Sequence, residues 1–287
     1  MAKGNFIEYV VSDNPNKYPD DGEHGGYYYE LISPLSFLSF IGNEDFTLKT
    51  NNTTKNWNGT LEYSTDTVNW NTWDGTEISS AGSNLYLRGT GNTKITGGSS
   101  DYRFVLTGTD TLKIACKGNI ENLLDYETVS AGNHPTMADY CYRYMFAGCT
   151  SLTTAPELPA TTLAVNCYDS MFDSCTSLAT APALPATTLA DSCYLGMFGG
   201  CTALASAPEL PATTLVDYCY AYMFGDCAKI KLSTTKTGEY QTAYRIPKSG
   251  TGTTATDALL DMFTNTGGTF KGTPEINTTY YTSNTVV

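Results

Sequence analysis

Cationic side chains are scarce in this chain: 16 Lys and Arg stand against 29 Asp and Glu, a formal net charge of −13. Nucleic acids and anionic membranes are bound through cationic surfaces, so neither is an expected partner. Histidine is scarcer still, with only His24 and His134. No nucleophile and base stand at a catalytic spacing, so the chain reads as a non-enzyme with no catalytic residue, cofactor or metal site. Zinc is further disfavoured because the nine cysteines include no Cys-x-x-Cys pair. No run of about 18 apolar residues occurs, so insertion into a membrane is not expected. Residues Met1 to Val11 lack the basic, apolar and small-residue parts of a secretory signal, so either a removed signal or another route out of the cell is expected. Charged residues make up 16% of the chain and apolar ones 41%, enough to bury a sizeable core and to argue against charge-driven disorder.

What the chain has in abundance is repetition. Cys141, Cys167, Cys193 and Cys219 are spaced 26 apart, as are Cys149, Cys175, Cys201 and Cys227. The template is plain in CYDSMFDSCTSLATAPALPATTLADS, from Cys167 to Ser192. Repeats therefore start at 141, 167, 193 and 219, and the last breaks down after Cys227. Met262 and Phe263 restore the register of Met223 and Phe224, which predicts a C-terminal cap over about 243–287.

Within a unit, Cys167, Met171 and Cys175 fall at i, i+4 and i+8 beside Tyr168 and Phe172, the pattern of an apolar helical face. Thr162, Thr188 and Thr214 are placed to cap such helices. The Pro-x-x-Pro stretch, as at Pro182 to Pro185, must then run extended. Cys167, Phe172, Cys175, Cys193, Phe198 and Cys201 are the expected structural core. Two cysteines eight residues apart on a helix lie about 12 Å apart along its axis, too far for a disulfide, so free buried thiols are expected. LPATT, at Leu158, Leu184 and Leu210, superficially matches a sortase sorting signal, but three internal copies make it a structural corner.

The motif MF-x-x-C-x-x-L followed by a proline-bearing strand resembles the BspA-like leucine-rich repeats of bacterial surface proteins. The resemblance covers Cys141 to Leu232 closely and implies a curved right-handed solenoid used for adhesion or recognition. The usual form of that family has a shorter repeat, and the 26-residue LPATTL unit departs from it.

From Leu35 to Ile114 helical periodicity vanishes. Short alternating runs such as FTLKT, NLYLRGT and DYRFVLTG are separated by Gly, Asn and Asp turns, which predicts an antiparallel β-sandwich. The expected fold is thus mixed α/β: a segment 1–34 for attachment, an Ig-like sandwich 35–114, and a leucine-rich-repeat-type α/β solenoid with caps over 115–287. Trp57, Trp70 and Trp73 read either as sandwich core or as an aromatic sugar platform. Ser64 to Trp73 approaches the Asp-box of sialidases but reads as a β-hairpin. Asp20, Asp21 and Glu23 read as a solvated acidic turn in preference to a calcium site.

The stretch from Asn5 to Ile32 is similar to linker segments in tail-fibre and other appendage proteins of gut bacteriophages and prophages. That resemblance implies a virion protein, which also accommodates many free thiols formed in a reducing cytoplasm. The expected function is that of a phage virion appendage or decoration protein recognising a host-surface protein or glycan. It would contact other virion proteins through the N-terminal segment, as a homo-oligomer (a trimer if a fibre). The alternative is a bacterial cell-surface adhesin, so the expected location is a virion, extracellular or bacterial cell surface. Copies differ at the expected solvent positions Arg143, Asp169, Leu195 and Ala221, beside them at Tyr144, Ser170, Gly196 and Tyr222, and in the turns bearing Asp191, Asp217 and Tyr218; these read either as drift at unconstrained positions or, with the three tryptophans, as the candidate ligand surface. A second candidate face carries Thr154, Thr180 and Ser206 with Glu157, Ala183 and Glu209.

Overall fold

The computed structural model describes the strand residues 9–12 and 28–31, then residues 37–52, 55–98, 102–284 and 286. The chain divides into two compact units, Met1–Ser36 and Phe37–Val287. In the first, β1 (Tyr9–Ser12) pairs antiparallel with β2 (Tyr28–Leu31). The acidic turn at Asp20, Asp21 and Glu23, and the rest of the expected attachment segment, lie outside the described residues.

The second unit opens with β3 (Leu38–Gly42), β4 (Thr47–Thr50), β5 (Thr60–Ser64), β6 (Asn71–Trp73), β7 (Ile78–Ser79), β8 (Asn84–Thr90), β9 (Phe104–Thr107) and β10 (Ile114–Lys117). There follow α1 (Asn122–Ser130), β11 (Leu152–Thr154), β12 (Leu232–Ser233), β13 (Thr242–Arg245) and β14 (Thr279–Thr282). A six-stranded sheet runs β11-β10-β3-β8-β5-β6, a three-stranded one β7-β4-β9, and another β12-β14-β13. Alternation decides which faces turn inward: in β8, Leu85 and Leu87 are buried while Tyr86 and Arg88 are half-exposed. Trp73 of the six-stranded sheet meets Phe104 of the three-stranded one edge to face at 5.3 Å. The first sheet does not stop at the front half. Its edge strand β11 belongs to the first repeat and pairs in parallel with β10.

The repeats overturn the expected fold class. Among its described residues the second unit is nearly all β, with several small sheets and one nine-residue helix, and that helix precedes the first repeat. No repeat contains a helix, and of the three full repeats only the first carries a strand, β11, so the strand per turn that a leucine-rich-repeat solenoid would show is missing too. The mixed α/β solenoid is therefore wrong for this chain, and with it the helix caps assigned to Thr162, Thr188 and Thr214. The reason lies in the backbone. Asn166, Ser170 and Ser174 have φ of 54°, 52° and 59°, and Ser192, Gly196 and Gly200 repeat this at 55°, 58° and 67°. A residue in the left-handed region at every fourth position cannot sit in a right-handed helix.

The segment is instead a chain of tight turns. Cys167, Asp169, Met171, Asp173 and Cys175 each donate an N–H to the carbonyl three residues back. The N–H groups between them, of Asn166, Tyr168, Ser170, Phe172 and Ser174, reach the carbonyls of Asp191, Cys193, Leu195, Met197 and Gly199 in the next repeat. Alternate amides thus close turns and tie layers together, so the backbone polar groups are satisfied without helix or regular sheet. Isolated parallel bridges join Thr154 to Thr180 and Thr162 to Thr188 on the far side of each layer.

Equal layers put like on like in the core. The rings of Tyr142, Tyr168, Tyr194 and Tyr220 stack at 5.6, 5.7 and 5.8 Å. Phe146, Phe172, Phe198, Phe224 and Phe263 form a second column at 5.5 to 5.8 Å. Both ends of the phenylalanine column are closed. Phe40 and Phe104 cover Phe146 at 6.2 and 5.9 Å, while Tyr244 and Phe270 stand against Phe263 at 6.0 and 6.5 Å. The last step spans 39 residues, from Phe224 to Phe263, and the extra length carries β12 and β13.

Candidate functional site

The turn edge of the stack gathers most of the residues singled out from the sequence. Its left-handed positions form rows from layer to layer: Tyr140, Asn166, Ser192 and Tyr218 in one, Tyr144, Ser170, Gly196 and Tyr222 in the next. Tyr144 and Tyr222 stand three layers apart, with only Ser170 and Gly196 in the layers between them. Tyrosines therefore flank a low floor two layers wide. Tyr218 and Tyr222 are the largest exposed side chains of the repeats, at 38% and 45% exposure, while Tyr144 and Ser170 are half-buried.

The first-layer wall is braced. The Arg143 guanidinium lies over the rings of Tyr144 and Tyr140 at 4.9 and 5.5 Å, and its Nε donates to Asp169 Oδ2 at 2.7 Å. Asp169 also accepts the Ser170 hydroxyl at 2.8 Å. Burial raises the Asp169 carboxyl above its usual range, against the pull of Ser170 and Arg143. At the other wall the Asp257 carboxylate beside the Tyr218 hydroxyl raises the phenol above its ordinary range. Asp217 Oδ1 accepts the amide of Thr256 at 3.0 Å, and Asp191, one layer earlier, is exposed. Tyr144, Ser170, Asp191, Asp217, Tyr218 and Tyr222 thus share one edge. Tyr140, Arg143 and Asp169 belong to it as well.

The tryptophans lie elsewhere and do not form a platform. Trp57 and Trp73 are buried and stacked on each other at 5.4 Å. Trp73 Nε1 donates to the carbonyl of Thr76 at 2.7 Å. Trp70 is half-buried, with Arg88 over its ring at 4.1 Å and Phe37 beside it at 5.7 Å. The neighbouring Ser64 to Trp73 stretch is a β5–β6 hairpin pairing Leu61 with Trp73. In its turn Asp66 accepts the amides of Val68 and Asn69, and these bonds hold its carboxyl well below the usual carboxylate range.

Cys167, Phe172, Cys175, Cys193, Phe198 and Cys201 are fully buried. All nine cysteines are free. The second thiol of each unit has a hydrogen-bonding role: Cys175, Cys201 and Cys227 donate from Sγ to the carbonyls of Phe146, Phe172 and Phe198 at 3.0 to 3.1 Å.

On the proline edge, Thr154 to Pro159, Thr180 to Ala183 and Pro185 line a shallow groove of about 410 Å³ that includes Glu157. Farther along, Glu209 is paired with Lys248 at 2.7 Å. Among the described residues no group of three or more His, Cys, Asp or Glu is arranged to hold a metal ion, and no helix is long and apolar enough to cross a membrane. Compared with known protein families, with characterised proteins and with solved structures, the chain finds no match.

Proposed function

We propose that this is a non-enzymatic recognition protein that binds a glycan or protein of a host surface through the turn edge of its stacked repeats, as part of a phage virion appendage. The observation that carries the reading is the edge itself. Side chains change freely there, from Tyr144 to Ser170, Gly196 and Tyr222, over a core that repeats almost unchanged. Aromatic walls beside a low polar floor suit a flat, hydroxylated ring or an extended peptide, because tyrosine offers an apolar face and a polar tip. The acidic balance of the chain favours a neutral or cationic ligand surface. The placement on a virion, joined to other virion proteins through residues 1–34 and assembled as a homo-oligomer, rests on the likeness of the N-terminal segment to appendage linkers.

Binding of the purified chain to whole bacterial cells and to their extracted surface polysaccharides tests this. The double variant Tyr218→Ser/Tyr222→Ser should keep its thermal midpoint, since both side chains are exposed, and should bind roughly tenfold more weakly or worse. Undiminished binding by that variant removes the turn edge from consideration.

A further inference from the structure

Before the first repeat, a buried carboxylate stands in the wall of a small cavity away from the turn edge. Glu121 is 2% exposed although it is ionisable. Its position is fixed from several sides. The Ile120 amide donates to the carbonyl of Glu157, the Glu121 amide donates to Asn119 Oδ1 at 2.8 Å, and the Glu121 carbonyl accepts amides of α1. The cavity is about 270 Å³ and is lined by His134, Pro135 and Met137 after the helix and by Ala160 to Ala164 of the first layer. Leu163 is buried, while Thr161 and Thr162 stand exposed at the rim.

The hydrogen bonding of Glu121 is incomplete. A carboxylate offers about four lone-pair positions. Among the described residues, its donor is His134 alone, whose Nδ1 lies 3.0 Å from Oε1 and 2.8 Å from Oε2. One ring nitrogen shared between two oxygens leaves acceptor capacity on a carboxylate that is itself 2% exposed, and such capacity is costly to leave unused. The remaining lining is apolar or hydroxyl-bearing, with no lysine or arginine among it.

We propose that this cavity binds a primary alkylammonium group. Glu121 is the counter-ion, the Thr161 and Thr162 hydroxyls are further acceptors, and Pro135, Met137 and Leu163 surround the methylene stem. Such a stem seeks apolar contact while its charged end seeks a fixed anion. The group can be carried by a free diamine or by a lysine side chain of a partner protein, and the chemistry of the site is the same for both. The proposal does not depend on the turn edge being a ligand surface.

Nuclear magnetic resonance titration of the full chain tests it, with n-butylammonium, n-butanol and butyrate as probes of equal length. Saturable binding of the amine at millimolar concentration is expected, with butanol roughly tenfold weaker and butyrate silent. Glu121→Gln should weaken the amine by a similar factor. Thr162→Trp, at an exposed position, should block the mouth with the thermal midpoint unchanged, and it decides the matter if Glu121→Gln fails to fold. Equal binding of amine and butanol, absence of amine binding, or amine binding that survives Thr162→Trp overturns the proposal. Cadaverine and Nα-acetyl-lysine methylamide then separate the sources. Preference for the former supports a free diamine, and equal or tighter binding of the latter supports a lysine of a partner protein.

Discussion

At the scale of single residues, the thiols are the least ordinary feature of the chain. Each is buried in an apolar layer, and burial disfavours the thiolate. Cys149, Cys201 and Cys219 are pushed up to about 12, and the other six also stand above the ordinary thiol value. A thiol reagent needs the thiolate. Labelling at mildly alkaline pH should therefore reach almost none of the nine groups until denaturant is added, and rapid native labelling of most of them would contradict their placement. The same displacement makes the fold sensitive to alkali. Folded thiols stay protonated while unfolded ones ionise near about 8.5, so this contribution is fully present below that value and is lost as pH rises toward the folded value. Each thiol should cost roughly 1.4 kcal/mol per pH unit in that window. The thermal midpoint should fall steeply from pH 8.5 upward, and less steeply in Cys201→Ala. Free buried thiols were legible in the sequence, but for the wrong reason. A helical rise was expected to hold the two cysteines of a unit apart, and there is no helix.

At the scale of the element, the chain of turns shows why the helix was misread. Apolar residues at i, i+4 and i+8 fit a helical face, and they fit a four-residue turn repeated in series equally well. What separates the two is the residue just before each apolar pair. Asn166, Gly196 and Gly200 are of the types that tolerate positive φ, but Ser170, Ser174 and Ser192 and, in other copies, Tyr140, Tyr144, Tyr218 and Tyr222 hold the same conformation, so the period of four was a faint signal. Gly200 provides the check. Its φ is 67°, and an added Cβ would stand 3.2 Å from Ser174 Oγ. Gly200→Ala should cost about 1–2 kcal/mol, whereas Thr202→Ala, two residues on and exposed, should be close to neutral. Equal denaturant midpoints for the two variants would argue against left-handed geometry at this position. The front strands were easier to read, because period-two alternation with Gly and Asn turns admits few other structures.

At the scale of the whole molecule, stability should depend on place in the stack. Phe198 has a ring on each side, at 5.6 and 5.8 Å, whereas Phe263 ends the column against Tyr244 and Phe270. Truncating a buried phenylalanine to alanine costs about 3–5 kcal/mol. Phe198→Ala should raise amide exchange in the layers on both sides of it, and Phe263→Ala mainly beyond Cys219. Identical exchange maps would show that the layers open only together. The candidate edge was half legible at this scale. Differences between copies pointed to Tyr144, Ser170, Tyr218 and Tyr222, and of the two readings open for the tryptophans the core one holds for Trp57 and Trp73. Spacing alone could not reveal that Asp169, which reads as a solvent position, is buried against Arg143.

Both ends of the phenylalanine column are closed by segments that are not repeats, and every internal joint is alike, since each layer offers the next the same alternate amides. Whole units are therefore interchangeable parts. Excising residues 167–192 joins Asn166 to Cys193 and presents Tyr142 with the Cys193 carbonyl in place of that of Cys167. The shortened chain should fold with the same ends and be shorter by one layer, about 4.8 Å, a difference that small-angle scattering can detect across a series of deletions and duplications. Failure of such chains to fold would mean that the layers are not equivalent. If they fold, recombination between near-identical repeats can lengthen or shorten this molecule without redesigning it, so that reach becomes a heritable trait varying in fixed increments.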